Sequence, residues 1–170
     1  MKKKKILSLN YLKIALYILL SLSFTACFDH NFKAINSNES FKFSYNKLDK
    51  RLEFNQQKPF ALVFFTKDCG VCKEQIASIK ALRKLYDFDF LAVLADAKDK
   101  EDAIKWANDK GLDFTLFYEP RAAKYLSNAI GGIYGVPVSA FFDKEGRQNE
   151  LFIGLTPQSV LEKELLSLSL

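Results

Sequence analysis

Histidine is nearly absent from this chain, with His30 its only copy. Three cysteines, Cys27, Cys69 and Cys72, are too few for a small scaffold stapled by disulfides. One His and three Cys also leave too few ligands for most zinc arrangements. No excess of one charge runs through the body of the chain. The formal +5 arises at the N-terminus, where Lys2, Lys3, Lys4, Lys5 and Lys13 are the only charged residues before Asp29. Removing those five from 25 basic residues leaves as many bases as the 20 acids. The basic balance therefore gives no support to a nucleic-acid surface. There are no internal repeats, and no low-complexity segment comes after the lysines. No apolar run reaches the ~20 residues that a membrane-spanning helix needs. The composition that is present, 49% apolar and 26% charged residues over 170 positions, excludes disordered and fibrous classes and fits one domain.

The N-terminus reads as an address. Four lysines are followed by a short apolar run over 14–24 and then by Thr25-Ala26-Cys27. A charged start, an apolar stretch and a small-residue end are the layout of a secretory signal peptide over 1–26. Phe24-Thr25-Ala26-Cys27 resembles a bacterial lipobox, although Leu is usual in its first position. On that reading Cys27 carries lipid and becomes the mature N-terminus. An ordinary signal peptide and an uncleaved anchor are the alternatives, and all three export the downstream domain. Residues 28–40 are rich in Asn and Ser and show no period, so 27–40 reads as lipidated Cys and tether, with His30 solvated. The domain proper is expected over 41–170.

The body alternates strand-like and helix-like patterns. Phe60–Thr66 is a continuous apolar run, as in a strand buried on both faces. From Gly70 to Tyr86 the period changes, with Cys72, Ile76, Ile79, Leu82 and Tyr86 on one helical face. Phe88–Asp96 is strand-like again. Ala103, Ile104 and Ala107 mark a helix over 100–110 that Gly111 closes in the left-handed conformation. A short strand over Phe114–Tyr118, a helix from Pro120 to about 130 and a strand over Pro137–Asp143 come next. The Lys144–Arg147 turn leads to a hairpin partner, Glu150–Gly154, and Thr156-Pro157 caps and opens a last helix to about 168. A weaker strand, Phe41–Tyr45 or Arg51–Phe54, precedes the core. The sum is an α/β fold with a mixed central sheet flanked by helices.

Cys69-Gly70-Val71-Cys72 lies where the buried strand ends and a helix starts. That spacing brings both sulfurs within bridging distance. A helix N-terminus favours a thiolate, and the thiolate is the nucleophile. Cys69 is expected to be the more exposed attacker, and Cys72, a turn in, to resolve the mixed disulfide. A zinc pair would need two further ligands, and only His30 and Cys27 remain, both in the tether. A purely structural bridge is the other alternative, but a loop this short contributes little through chain entropy.

Residues 60–170 resemble the thioredoxin superfamily, and within it the exported disulfide-reductase branch typified by TlpA, ResA and the cytochrome c maturation thioredoxins. The carriers are Phe64–Lys73 with its Cys-Gly-Val-Cys, Tyr134-Gly135-Val136-Pro137, Phe141–Gly146 and Gly154. Residues 97–131 match the helix-strand-helix insertion of that branch. The resemblance implies a cis bond before Pro137, facing the cysteines, with Val136 offering its backbone to an extended client segment. It implies a thiol-disulfide reductase with no cofactor and no metal, held at a bacterial membrane with its domain in the periplasm. Protein thiol or disulfide clients, apocytochrome c among them, and a membrane thiol donor of electrons are implied by the same resemblance.

The chain departs from the family at several places. Asp68 stands where Trp usually precedes the first Cys, and its carboxylate opposes a thiolate at Cys69 against the helix terminus, Lys67 and Lys73. Val63 replaces a buried Asp, and Gln75 stands where a Glu is frequent, so the general base for Cys72 is unassigned. Trp106 reads as a half-buried packing residue. Two other classes remain open. Thr66-Lys67-Asp68-Cys69 satisfies the Thr-x-x-Cys of peroxiredoxin-type thiol peroxidases, but Leu62 replaces their upstream Pro. A redox-inert binding module on the same fold would commonly have lost one cysteine.

Overall fold

The computed structural model describes residues 30–38, 40–54 and 58–169. The expected leader over 1–26 and Cys27 lie outside the described residues.

The central sheet grows from Phe60–Phe65 (β4), whose six residues are all buried. Asp89–Leu94 (β5) pairs parallel to it, and Leu116–Phe117 (β6) pairs parallel to β5. On the other side Val138–Phe142 (β7) runs antiparallel to β4, and Gln148–Ile153 (β8) completes the hairpin. The order is β6-β5-β4-β7-β8, a mixed sheet of five strands. The helices are Cys72–Leu85 (α1), Lys100–Lys110 (α2), Pro120–Ala129 (α3) and Gln158–Leu168 (α4). The α/β fold, the mixed sheet and the helix-strand-helix segment α2-β6-α3 stand as the sequence predicts.

Local chemistry accounts for the boundaries. The Asp99 side chain accepts the Asp102 N–H at 2.8 Å to cap α2, and Gly111 ends it at φ +69°, which only glycine adopts cheaply. Pro120 takes the first turn of α3, where its missing N–H costs nothing. The Thr156 cap does not form. Its hydroxyl donates to Gly154 O at 3.2 Å, and α4 starts after Pro157 with no side-chain cap.

Because side chains alternate along a strand, β4 feeds two cores. Ala61, Val63 and Phe65 meet the buried face of α1 together with Leu161 and Leu165 of α4. Phe60, Leu62 and Phe64 meet α3 and a second, small sheet. That sheet corrects the expected tether. His30–Lys33 (β1), Ser40–Asn46 (β2) and Arg51–Glu53 (β3) pair antiparallel in chain order, so both weak strands exist and a third precedes them. Phe32 is fully buried, and the His30 ring lies 4.1 Å from that of Tyr125 rather than in free solvent. Four residues with one buried side chain are too short to show a period, and β1 forms only because β2 supplies its partners. Paired bonds between Ile35 and Leu116, and Leu52 N–H to Gly146 O at 2.8 Å, fasten the small sheet to the large one.

Candidate active site

The parallel strand β4 ends at Phe65, and the chain turns through Thr66–Val71 before α1. Cys69 N–H donates to Thr66 O at 3.3 Å within this turn, and Val71 precedes the helix. Cys69 therefore stands ahead of α1 rather than on its face, and only Cys72 is helical. The turn still brings the two together: Cys69 and Cys72 are disulfide-bonded, with Cα atoms 5.4 Å apart. Cys69 is 7% exposed and Cys72 fully buried.

The Val136–Pro137 peptide is cis. Val138, the next residue, pairs with Phe64, so Pro137 stands at the end of the sheet from which the cysteine turn departs. Val136 packs against the apolar cluster that contains both cysteines. Around this end the chain leaves large apolar side chains in solvent: Val71 between the cysteines, Tyr134 ahead of Val136, and Ile153 and Leu155 at and after the end of β8.

A chain of hydrogen bonds joins the two halves of the site. Gly154 N–H donates to Pro137 O at 2.8 Å. The Thr156 hydroxyl donates to Gly154 O, and Thr156 N–H donates to Gln75 Oε1 at 2.8 Å. Gln75 Nε2 donates back to Thr156 O at 3.4 Å. The fully buried Gln75 amide thus links the cysteine helix, through the loop before α4, to the Pro137 carbonyl. Its hydrogen-bonding need is met by backbone, which fits a neutral amide better than a carboxylate facing a carbonyl oxygen. The signal available in the sequence was that position 75 falls on the apolar stripe of α1; its partner 81 residues away was not legible.

Lys67, set against Asp68 in the sequence reading, is engaged with two carboxylates. Its ammonium donates to Asp102 Oδ2 at 2.8 Å, and its backbone N–H donates to the Asp96 carboxylate at 3.0 Å. The Asp102 hydrogen bond is the largest influence raising the Lys67 pKa above its ordinary value. The same bond, followed by the Lys98 N–H, holds Asp102 below the usual carboxylate range. The lysine's charge is already matched, which leaves the helix terminus with less help against Asp68. Trp106 is buried rather than half-buried, its ring 5.6 Å from that of Phe65. Its Nε1 has no hydrogen-bond partner among the described residues.

A sheet of this order, with a cysteine pair where its central strand gives way to a helix and a cis-proline at the head of the neighbouring strand, defines a thioredoxin-fold protein. The chain belongs to the thioredoxin-like domain family, which matches residues 47–169. Comparison with curated proteins gives no significant match. Among solved structures it is similar to a proposed thiol:disulfide interchange protein DsbE from Chlorobium tepidum. The identity is 23% and the TM-score 0.59, over 83% of this chain and 93% of that one. It is also similar to the exposed lipoprotein thioredoxin Etrx1 of Streptococcus pneumoniae, at 19% identity and TM-score 0.61, over 82% and 99%. A secreted Mycobacterium tuberculosis disulfide oxidoreductase, homologous to E. coli DsbE, aligns at 18% identity and TM-score 0.55, over 66% and 84%. At these identities the likeness establishes the fold.

Proposed function

We propose that this protein is an exported, membrane-tethered thiol-disulfide oxidoreductase of the TlpA/ResA type that reduces protein disulfides. The observation that carries the reading is the Cys69–Cys72 disulfide, in which Cys69 keeps 7% of its surface open and Cys72 is fully buried. In the reduced protein the Cys69 thiolate attacks one sulfur of a client disulfide. The Cys69–client mixed disulfide forms, and the other client sulfur leaves as a thiolate. Cys72, deprotonated, then attacks Cys69 Sγ, and the second client thiolate departs. Two electrons pass to the client, and the Cys69–Cys72 bond is restored. A donor dithiol, which we place in the membrane, reduces it again. Apocytochrome c is one client that fits.

Val136 and Pro137 bind the client in this reading, as an extended segment laid beside the cysteines. Val71, Tyr134 and Ile153 supply apolar contact at its edges. The reductive direction is supported by the site's charge. Asp68 adjoins Cys69, the Gly70-Val71 dipeptide carries no donor side chain, and Lys67 is bound to Asp102. A thiolate left without such help favours the disulfide form and makes the dithiol the stronger reductant. The expected reduction potential is near thioredoxin's, roughly −270 mV. Equilibration with glutathione measures it, and a value above about −180 mV, that of the disulfide isomerase, would make the protein an oxidase or isomerase.

Cys27 is the lipid attachment point in this proposal, with residues 1–26 removed and the domain in the periplasm. Cys27→Ser is expected to abolish fatty-acid labelling; undiminished labelling would remove the anchor. Clients are identified by trapping. Cys72→Ser should accumulate mixed disulfides through Cys69, and Cys69→Ser should not; equal trapping by both would reverse the assignment.

A further inference from the structure

The helix that carries Cys72 has a second face, which client exchange leaves unused. Between α1 and the C-terminal end of α2 lies a groove of about 600 Å³. Its floor is Ile76, Ala77 and Ala81, and Leu85 closes its far end, largely in solvent. The alanines are what open the groove: at these positions a larger side chain would fill it.

The rim carries one sign of charge. Four lysines, Lys73, Lys80, Lys84 and Lys110, border the groove, and no carboxylate lines it. Lys80 is committed, donating to Gly111 O at 2.8 Å and pairing with Asp113 at 3.4 Å. Arg83 turns to the same Asp113. Lys73, Lys84 and Lys110 have no ion pair among the described residues. Because bases and acids balance beyond Asp29, this rim is a local concentration of positive charge rather than the reflection of a basic protein. Lysine stems add apolar lining while their ammonium groups stand out over the groove.

We infer that this groove is a docking site for an acidic segment of a partner protein, one that inserts an apolar side chain between carboxylates. Charge selects this occupant. A second copy docking face to face would set lysine rim against lysine rim, since a two-fold contact pairs a surface with itself. The chain's own lysine-rich N-terminus carries the same sign. A bilayer would meet the lysines over a broad plane, whereas the accessible apolar lining is a narrow strip of one helix, with Ala77 exposed, Ala81 half-buried and Ile76 buried beneath them. A peptide side chain packs on that strip while its carboxylates meet the rim. The groove begins at Lys73, next to Cys72, so a segment seated there holds its parent protein beside the cysteine turn. The inference rests on the redox reading only for that last consequence.

The test is a binding measurement on the full chain kept oxidised, so exchange chemistry plays no part. The probes are a cysteine-free peptide, Gly-Glu-Leu-Glu-Leu-Glu-Gly, its Gln-for-Glu counterpart, and phosphatidylglycerol vesicles. The Glu peptide is expected to bind at least about tenfold tighter than the Gln peptide and to shift the amide resonances of residues 73–85 and 110–111. Lys84→Glu with Lys110→Glu should abolish that preference, the milder Lys84→Gln with Lys110→Gln should reduce it, and 0.5 M salt should weaken it. Equal binding of the two peptides, shifts elsewhere, or a preference that survives the lysine substitutions would overturn the inference. Vesicle binding lost in the same variants, without peptide binding, would overturn it in favour of a lipid surface. Loss of exchange in Cys69→Ser leaves this result untouched, and failure here leaves the exchange chemistry standing.

Discussion

The two faces of the central sheet share the strand β4 and are filled with different chemistry. Phe60, Leu62 and Phe64 look into a core of aromatic rings contributed by the two sheets, Phe32, Phe43, Phe54, Phe117 and Phe142, with small and aliphatic side chains from α3. Phe60 and Phe142 stack with centroids 4.7 Å apart, and Phe54 meets Phe60 edge-on at 4.6 Å. Ala61, Val63 and Phe65 look instead into the core that holds both cysteines. There the buried groups include the Gln75 amide, Thr156 and the unpartnered Trp106 indole nitrogen. Buried polar groups are tolerated when bonded and costly when not. One face supplies mainly apolar burial, with the Asp89 carboxylate at its margin paired to Lys58 at 3.1 Å and one of its oxygens buried without a partner among the described residues. The other gives up more of that burial to place sulfur, amide and backbone carbonyl at the sheet's end. Stability and chemistry are thereby assigned to opposite sides of one strand.

The largest effects should separate the faces cleanly. Cys69→Ser removes the less buried cysteine of the pair and should reduce exchange with protein disulfides to the uncatalysed rate while leaving the urea midpoint of the reduced protein nearly unchanged. Phe43→Ala should do the reverse. Phe43 is fully buried within 5.7 Å of Phe54 and 5.5 Å of Phe117. Its loss should cost about 3–5 kcal/mol of stability, as for other buried Phe truncations, with the exchange rate per folded molecule intact. If Phe43→Ala slowed exchange as much as it destabilised the fold, the division between faces would be wrong.

The sequence made these faces visible to different degrees. β4, β5, α1 and α2 were legible because each has enough apolar positions to display its period. The cysteine turn was legible because two reactive side chains at a fixed spacing carry their chemistry with them. β1 was not, because one buried Phe in four residues has no period and depends on a partner strand. Neither was the use of Gln75 or Lys67. A side chain's identity does not reveal whether its hydrogen-bonding capacity is taken by a neighbour far along the chain, and Thr156 and Asp102 are such neighbours.

Gln75 offers an intermediate effect. Gln75→Leu keeps the volume but leaves the Thr156 N–H and C=O unpaired, which costs about 1–3 kcal/mol for a buried group. If the amide serves only packing, exchange with a small neutral disulfide and with a protein disulfide should change together. If it holds the Pro137 loop through Gly154, the protein substrate should suffer by about tenfold more than the small one, mainly in KM, because only the larger client needs that loop. Parallel losses on both substrates would reduce Gln75 to a packing residue.

The smallest expected effect probes the charge beside Cys69. Lys67 is held above its ordinary pKa and Asp102 below its own by their mutual hydrogen bond. The depressed Asp102 pKa means that the pair contributes fully above the ordinary carboxylate range and is lost only as pH falls through the lower, folded value. The raised Lys67 pKa keeps the lysine charged beyond the range in which a thiol of ordinary pKa, about 8.5, titrates. Around the pKa of an ordinary thiol the pair therefore stays closed, and on the acid side only pH below the usual carboxylate range opens it. Asp102→Asn removes the neutralising negative charge, while the asparagine oxygen can still accept from the Lys98 N–H and from Lys67, which share Oδ2 in the native protein. The cation, no longer neutralised, should favour the Cys69 thiolate and lower its pKa, by up to about one unit, as read from the pH dependence of alkylation of the reduced protein. The reduction potential should rise with it, because the thiolate form is the one stabilised. Phe43→Ala, on the opposite face, should leave that pH profile where it is. An unchanged profile in Asp102→Asn would show that Lys67 lies outside the thiolate's electrostatic reach and that the proposed reductive direction has only Asp68 and the bare dipeptide to support it.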